Sequence, residues 1–258
     1  LLLPRIFVVT LVCLFAAGLP VRAETACRFG TPPTVLVEEG DPHEIGSRLL
    51  KVWEVEDNPV FWSETTPGSE AYSKFRGEVA DLDIETDPVH LLEGSSIENS
   101  RIVHRNADDW IGPAGCLEML MYGHQHARMN TFTDPTEFGS FILRSPDEER
   151  LRVYFYTNNQ DGLGNMDVIV TPVLEDKREG WDVLVALHSH VFHPGQPEIN
   201  GILAPSEPDA DFHANLHASL GLREGWITNG VHTVRMPSSS FDDFTRPSGR
   251  GEVSNPYE

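Results

Sequence analysis

The chain has 258 residues, 40% hydrophobic and 23% charged, the balance of a globular protein of one large or two small domains rather than a disordered one. Its 40 Asp plus Glu against 19 Lys plus Arg leave a net charge of −21. That charge argues against nucleic acid and against anionic membrane surfaces as partners, because phosphate would be repelled.

Residues Leu1 to Ala23 read as a signal peptide. Arg5 supplies the positive start, Ile6 to Leu19 form an apolar run too short to be a good membrane span, and Val21-Arg22-Ala23 offers a small-x-small cleavage site. The expectation is a secreted or periplasmic protein with no membrane attachment after cleavage. Cys27 and Cys116 then remain. They either pair, in an oxidising compartment, or sit as two separate buried thiols.

Residues 24–110 read as a β-rich or irregular segment of unknown role. Thr34 to Glu38, Leu49 to Val55 and Ile102 to His104 look like short strands, and no long helix stands out. From 111 to 237 the pattern is that of a second unit. Residues 115–129 have helical spacing through Cys116, Leu117, Leu120 and Met121. Phe138 to Leu143, Leu151 to Thr157, Val168 to Val173 and Val183 to His188 are strand candidates. Ser206-Glu207-Pro208-Asp209 opens a helix with a capping-box spacing, and Gly221 follows its end near Leu220. Trp226 to Thr228, Asn229-Gly230 and Val231 to Met236 predict a hairpin with a type I′ turn. Residues 238–258, rich in Ser, Pro, Gly and Asp, read as a flexible tail. The fold class expected is α/β (α+β), with a central mixed sheet flanked by helices.

Eight of the 11 histidines lie between His124 and His232. His188 and His190 follow an apolar strand, where positions i and i+2 point to the same side. Two neutral imidazoles so placed can share a Zn²⁺ ion. Asp209, near the start of the next helix, is the natural third ligand. A water activated at such a site needs a base, and Glu137, opening a strand, can supply it.

Glu137-Phe-Gly-Ser-Phe-Ile, then His188-x-His190, then Ser206-x-x-Asp209 resembles the JAMM signature of the JAB/MPN metalloprotease superfamily. The ending GWITNG-VHTVRMP is similar to the paired strands after the motif helix in uncharacterised bacterial members attached to secreted or toxin proteins. Val191 stands where the family usually carries Pro, and the stretch from His190 to Ser206 is longer than usual. The resemblance covers roughly 115–237. It implies zinc held by His188, His190 and Asp209, Glu137 as the base that later protonates the leaving amine, and Ser206 stabilising the oxyanion. The implied reaction is hydrolysis of a peptide or isopeptide bond in a peptide or protein substrate.

His193 is a possible substitute ligand. His213 and His217, at i and i+4, lack the Glu of a zincin motif. His124 and His126 diverge on a helix. A cupin reading would use Glu198 and His232, and barrel hydrolases need more chain than follows His190. The non-enzymatic alternative is a secreted binding or immunity-type module that keeps the fold without the activity.

Overall fold

Apolar side chains on both faces of one strand set the architecture. In β5 (Arg150–Thr157) Leu151, Val153 and Phe155 join one buried cluster, and Tyr154 and Tyr156 join the other. A strand with two buried faces belongs inside a sheet covered on both sides. The computed structural model describes residues 27–63, 70–82, 96–164, 166–193 and 201–247; the signal-peptide reading of 1–23 lies outside them. Among the described residues the strands form one eight-stranded sheet in the order β1-β2-β5-β4-β6-β7-β8-β3. The other strands are β1 (Thr34–Glu39), β2 (Arg48–Glu56), β3 (Ile111–Pro113), β4 (Gly139–Arg144), β6 (Asp182–Ser189), β7 (Glu224–Thr228) and β8 (His232–Pro237).

The fold is mixed α/β of the α+β kind, as expected. Neighbours are antiparallel except β6 and β7. A parallel pair needs a crossover, and α6 (Glu207–Leu220) lies within it. α5 (Asp167–Arg178) and α6 bury Val170, Val173, Leu216 and Leu220 against one face. α4 (Cys116–Arg128) and α1 (Glu70–Asp81) bury Leu117, Met121, Phe75 and Val79 on the other. Cys27 and Cys116 are joined by a disulfide, which ties the chain before β1 to the start of α4. The sheet is open, with β1 and β3 at its edges, so neither a cupin nor a barrel hydrolase describes it.

Four local expectations are corrected. Val168 to Val173 is not a strand but part of α5. Ile169, Val170, Val173 and Asp176 are its buried positions, a helical face that a run of β-branched residues conceals. Ile102 to His104 likewise lies in a helix, α2 (Ile97–Arg105), started by Ser96, whose side chain accepts from the Asn99 amide. With α1, α2 and the four-residue α3 (Ala107–Trp110), the segment before 111 is partly helical. It also supplies β1 and β2 to the common sheet.

The hairpin forms, but its turn is shifted by one residue. Gly230 has φ 83° and Asn229 is not left-handed, so Gly230-Val231 are the central residues, with glycine first as in a type II′ turn. The Asn229 side chain instead accepts from the amides of Val231 (2.9 Å) and His232 (2.8 Å). Finally, the tail is ordered at its start. Ser238–Asp243 is a 3-10 turn, and Phe241 and Phe244 are buried in the core beside α6.

Asn99 binds this framework together. It is fully buried, donates to the carbonyls of Pro205 (3.1 Å) and Thr245 (3.2 Å), and accepts from the Thr245 amide (2.8 Å). Replacing it with leucine leaves the buried Pro205 carbonyl unpaired and breaks both backbone bonds to Thr245. Asn99→Leu is expected to cost about 2–4 kcal/mol in urea unfolding; a loss under about 1 kcal/mol would show that water takes over those bonds.

Candidate metal centre

The site forms at the end of β6, where the chain leaves the sheet toward α6. His188 pairs in register with Gly139 of β4 and Ile227 of β7. The Ser189 amide donates to the Phe138 carbonyl (3.0 Å), and the His190 amide to the Thr228 carbonyl (2.9 Å). The strand is therefore held on both sides up to the second histidine. Ala186 and Phe141 belong to the cluster beneath α5 and α6, so alternation turns His188 toward that same side.

α6 brings the third donor. Ser206 is its N-cap and Asp209 its third residue, joined in a capping box. The Ser206 amide (2.9 Å) and hydroxyl (2.6 Å) both donate to Asp209 Oδ2. Capping and ligation are compatible here, because the carboxylate also faces the histidines. His188 Nε2 lies 3.5 Å from Asp209 Oδ1, His190 Nε2 lies 3.4 Å from Oδ2, and the two Nε2 atoms are 3.1 Å apart.

The two distances to Asp209 run to different oxygens of one carboxylate, and one ligand atom from each of the three residues lies within 4.8 Å of the others, a group that could hold a metal ion. Bonds of about 2.0–2.2 Å in a tetrahedral array place donors roughly 3.3–3.6 Å apart. The outer contacts fit as well. His190 Nδ1 lies 2.5 Å from the Ile202 carbonyl, so one proton belongs there and Nε2 is the nitrogen that faces the other donors, free to ligate once its own proton leaves. Ser206 fixes the carboxylate in the same way. His188, His190 and Asp209 are the three residues that can hold an ion together among the described residues.

Glu137 sits just before β4. Its amide donates to the Gln160 carbonyl (2.9 Å), and its carbonyl accepts from Thr157 Oγ1 (3.0 Å). It lines one cleft of about 660 Å³ with His188, His190, Ser206 and Asp209. All five predicted site residues thus meet. The Ser206 hydroxyl is engaged with Asp209, so in this state it orients that carboxylate.

The other histidines stand outside the donor group. His193 Nε2 stands 3.8 Å from Asp161 Oδ1, with both residues lining the cleft. His217 Nδ1 meets the Leu222 carbonyl at 2.8 Å. His124 packs edge-on to Trp53 and Phe155. His126 bridges Thr131 (2.9 Å) and Glu78 (3.1 Å). His232 is in β8, and Glu198 lies outside the described residues. The features that sequence reading missed are the Ile202 carbonyl, which has no side-chain signal, and His213, whose ring lies 5.7 Å from that of His188. Its spacing of four from Asp209 on one helix was the available clue.

Burial and charge oppose each other across the site. Burial disfavours charge on His190, but Asp209, Glu137 and the Ile202 carbonyl outweigh it and hold its pKa up at about 9. Burial pushes Asp209 up, but His188 and His190 outweigh that and hold it well below the carboxylate range. Burial raises Glu137, against the two histidines and with help from Asp209 and Asp161. Burial, then the charge of His188, lowers His213 to about 3.

The signs give a pH profile for the metal-free protein. His190 contributes stability that is complete below its ordinary 6.5 and lost as pH rises through about 9. His213 contributes stability that is complete above 6.5 and lost as pH falls toward about 3. Asp209 adds to that acid loss. Glu137, raised by burial, instead loses stability as pH rises above the ordinary carboxylate range, so the Tm in chelator is expected to fall from pH 6.5 to about 9, where His190 and Glu137 act together, and to fall again in strong acid. Zinc should weaken the alkaline fall, because binding releases the His190 proton. A chelated Tm that rises from pH 6.5 to 9 would contradict the His190 assignment.

The fold and site together define an α+β protein with a candidate His-His-Asp metal centre at a strand end. Comparison with family models, curated proteins and solved structures gave no match for the chain.

Proposed function

We propose that the protein is a secreted zinc-dependent metallohydrolase of JAB/MPN type that cleaves peptide or isopeptide bonds. The observation that carries this reading is the donor triangle of His188, His190 and Asp209, with Glu137 in the same cleft. Two histidines and one carboxylate are a donor set that would hold a zinc ion. Zinc bound there would supply Lewis acidity and a water made nucleophilic near neutral pH.

The chain's own residues do the rest. Glu137, its carboxyl raised by burial, takes the proton of the attacking water and returns it to the leaving amine. The Ile202 carbonyl and Ser206 keep His190 and Asp209 aimed. Ser206 also lines the cleft, from where its hydroxyl reaches the oxyanion if it leaves Asp209. Secretion is supported by residues 1–23 and by the Cys27–Cys116 disulfide. Among the described residues no helix is long and apolar enough to cross a membrane.

The test is hydrolysis of a peptide pool by zinc-loaded protein, read by mass spectrometry. Cleavage should stop with chelator and return with zinc. Metal retention without cleavage of any peptide would favour the catalytically inactive binding or immunity-type module.

A further inference from the structure

The cleft holds more acid than hydrolysis uses. Asp161, Asp167 and Asp211 line it beside Glu137 and Asp209, and no lysine or arginine lines it among the described residues. Its two walls are built alike. One is the loop 161–164 leading to α5. Gly162 (φ 96°) and Gly164 (φ 62°) turn it, and Leu163 and Met166 pack over Gly139. A Cβ at Gly139 would lie 2.9 Å from the Met166 methyl and 3.1 Å from Leu163 Cδ1. The absent side chain is therefore what admits this wall next to Glu137.

The other wall is α6. Pro208, Asp211, Phe212 and Asn215 follow the i, i+3, i+4, i+7 spacing of one helix stripe, and all four line the cleft. Each wall thus joins apolar surface to a carboxylate: Leu163 and Met166 with Asp161 and Asp167, Phe212 with Asp211. The helix starts do not invite an anion, since Asp167, Glu207 and Asp209 already occupy the first turns of α5 and α6.

A second observation points to a ligand. His213 lines the same cleft, is 1% exposed, and its Nε2 has no hydrogen-bond partner. A buried nitrogen left unpaired is costly, so a group that enters and bonds to it is favoured.

We propose that the cleft takes a substrate bearing an arginine or lysine beside the cleaved bond. Its methylenes lie on Leu163, Met166 and Phe212, and its head group meets Asp161, Asp167 and Asp211. Long basic side chains combine these two surfaces, an apolar stem and a charged tip. Acidic peptides are excluded by like charge, and the net charge of −21 draws cations toward the cleft. This inference rests on the hydrolase reading for the position of the bond; the preference for a cation can be measured apart from it.

The experiment is fluorescence anisotropy on zinc-loaded Glu137→Gln, with labelled neutral decapeptides whose central residue is Arg, Gln or Glu. The Arg peptide is expected to bind about tenfold tighter than the Gln peptide at low salt, and the Glu peptide weakest. The advantage should shrink as salt rises from about 0.05 to about 0.5 M. In Asp161→Asn/Asp211→Asn the Arg-to-Gln ratio should fall toward one, provided melting shows a folded variant. If that variant does not fold, the salt dependence and peptide order of the parent decide. Equal binding of the three peptides, or binding of none, overturns the inference. Hydrolysis of the same peptides by the unaltered protein tests the other reading. Charge-selective binding without cleavage retains the cationic cleft and rejects the hydrolase, whereas cleavage without charge preference does the reverse.

Discussion

Replacing His188 and His190 together by alanine is expected to reduce bound zinc from about one ion per chain to nearly none. The donor triangle explains the size of this effect. One carboxylate in a partly open cleft is a weak site alone, and the two imidazoles supply most of the affinity. The measurement is metal content by mass spectrometry after zinc loading and mild dialysis. A thermal readout accompanies it. Zinc at about a hundredfold above its Kd stabilises a protein by about 2.7 kcal/mol, which in a chain of this size raises Tm by roughly 5–10 °C. The double variant should melt at the same temperature with and without zinc. Undiminished zinc in that variant would place the ion elsewhere and remove the basis of the proposed chemistry.

Glu137→Gln is expected to keep the fold and the zinc and to lower hydrolysis by about 10²–10⁴-fold, the usual contribution of a positioned general base. The amide has the shape of the carboxyl group but no basicity. Its burial should be tolerated, because Glu137 is already held by backbone bonds to Gln160 and Thr157 and its charged form is disfavoured by burial. The comparison is kcat on a cleaved peptide with metal content measured on the same sample. Hydrolysis at the unaltered rate would show that another group handles the proton.

The local signals in the sequence that agreed with the final packing were legible in it. The strands at Leu151 to Thr157 and Val183 to His188 form, as do the helix over 115–129 and the capped helix from Ser206 to Leu220. Each has its periodicity and its end signals in the same few residues. The grouping of His188, His190 and Asp209 was legible for a related reason. His188 and His190 stand at strand spacing, and Asp209 is tied to Ser206 by the cap itself. These are relations within one element, which spacing can express.

What failed in the sequence was decided by distant partners. Val168 to Val173 has strand composition, yet a sheet with helices on both faces places Ile169, Val170 and Val173 on a helical face. Residues after 237 look loose, but Phe241 and Phe244 find the cluster beside α6. The segment before 111 gives no chemical signal, although Asn99 braces Pro205 immediately ahead of Ser206. The meeting of Glu137 with the histidines depends on β4 lying beside β6, and the Ile202 carbonyl reaches His190 only through the folded crossover. The sequence by itself determined the donors and their spacing along each element. Only the tertiary structure decided that they share one cleft, because long-range pairing and burial, not local propensity, bring strand, helix and loop together.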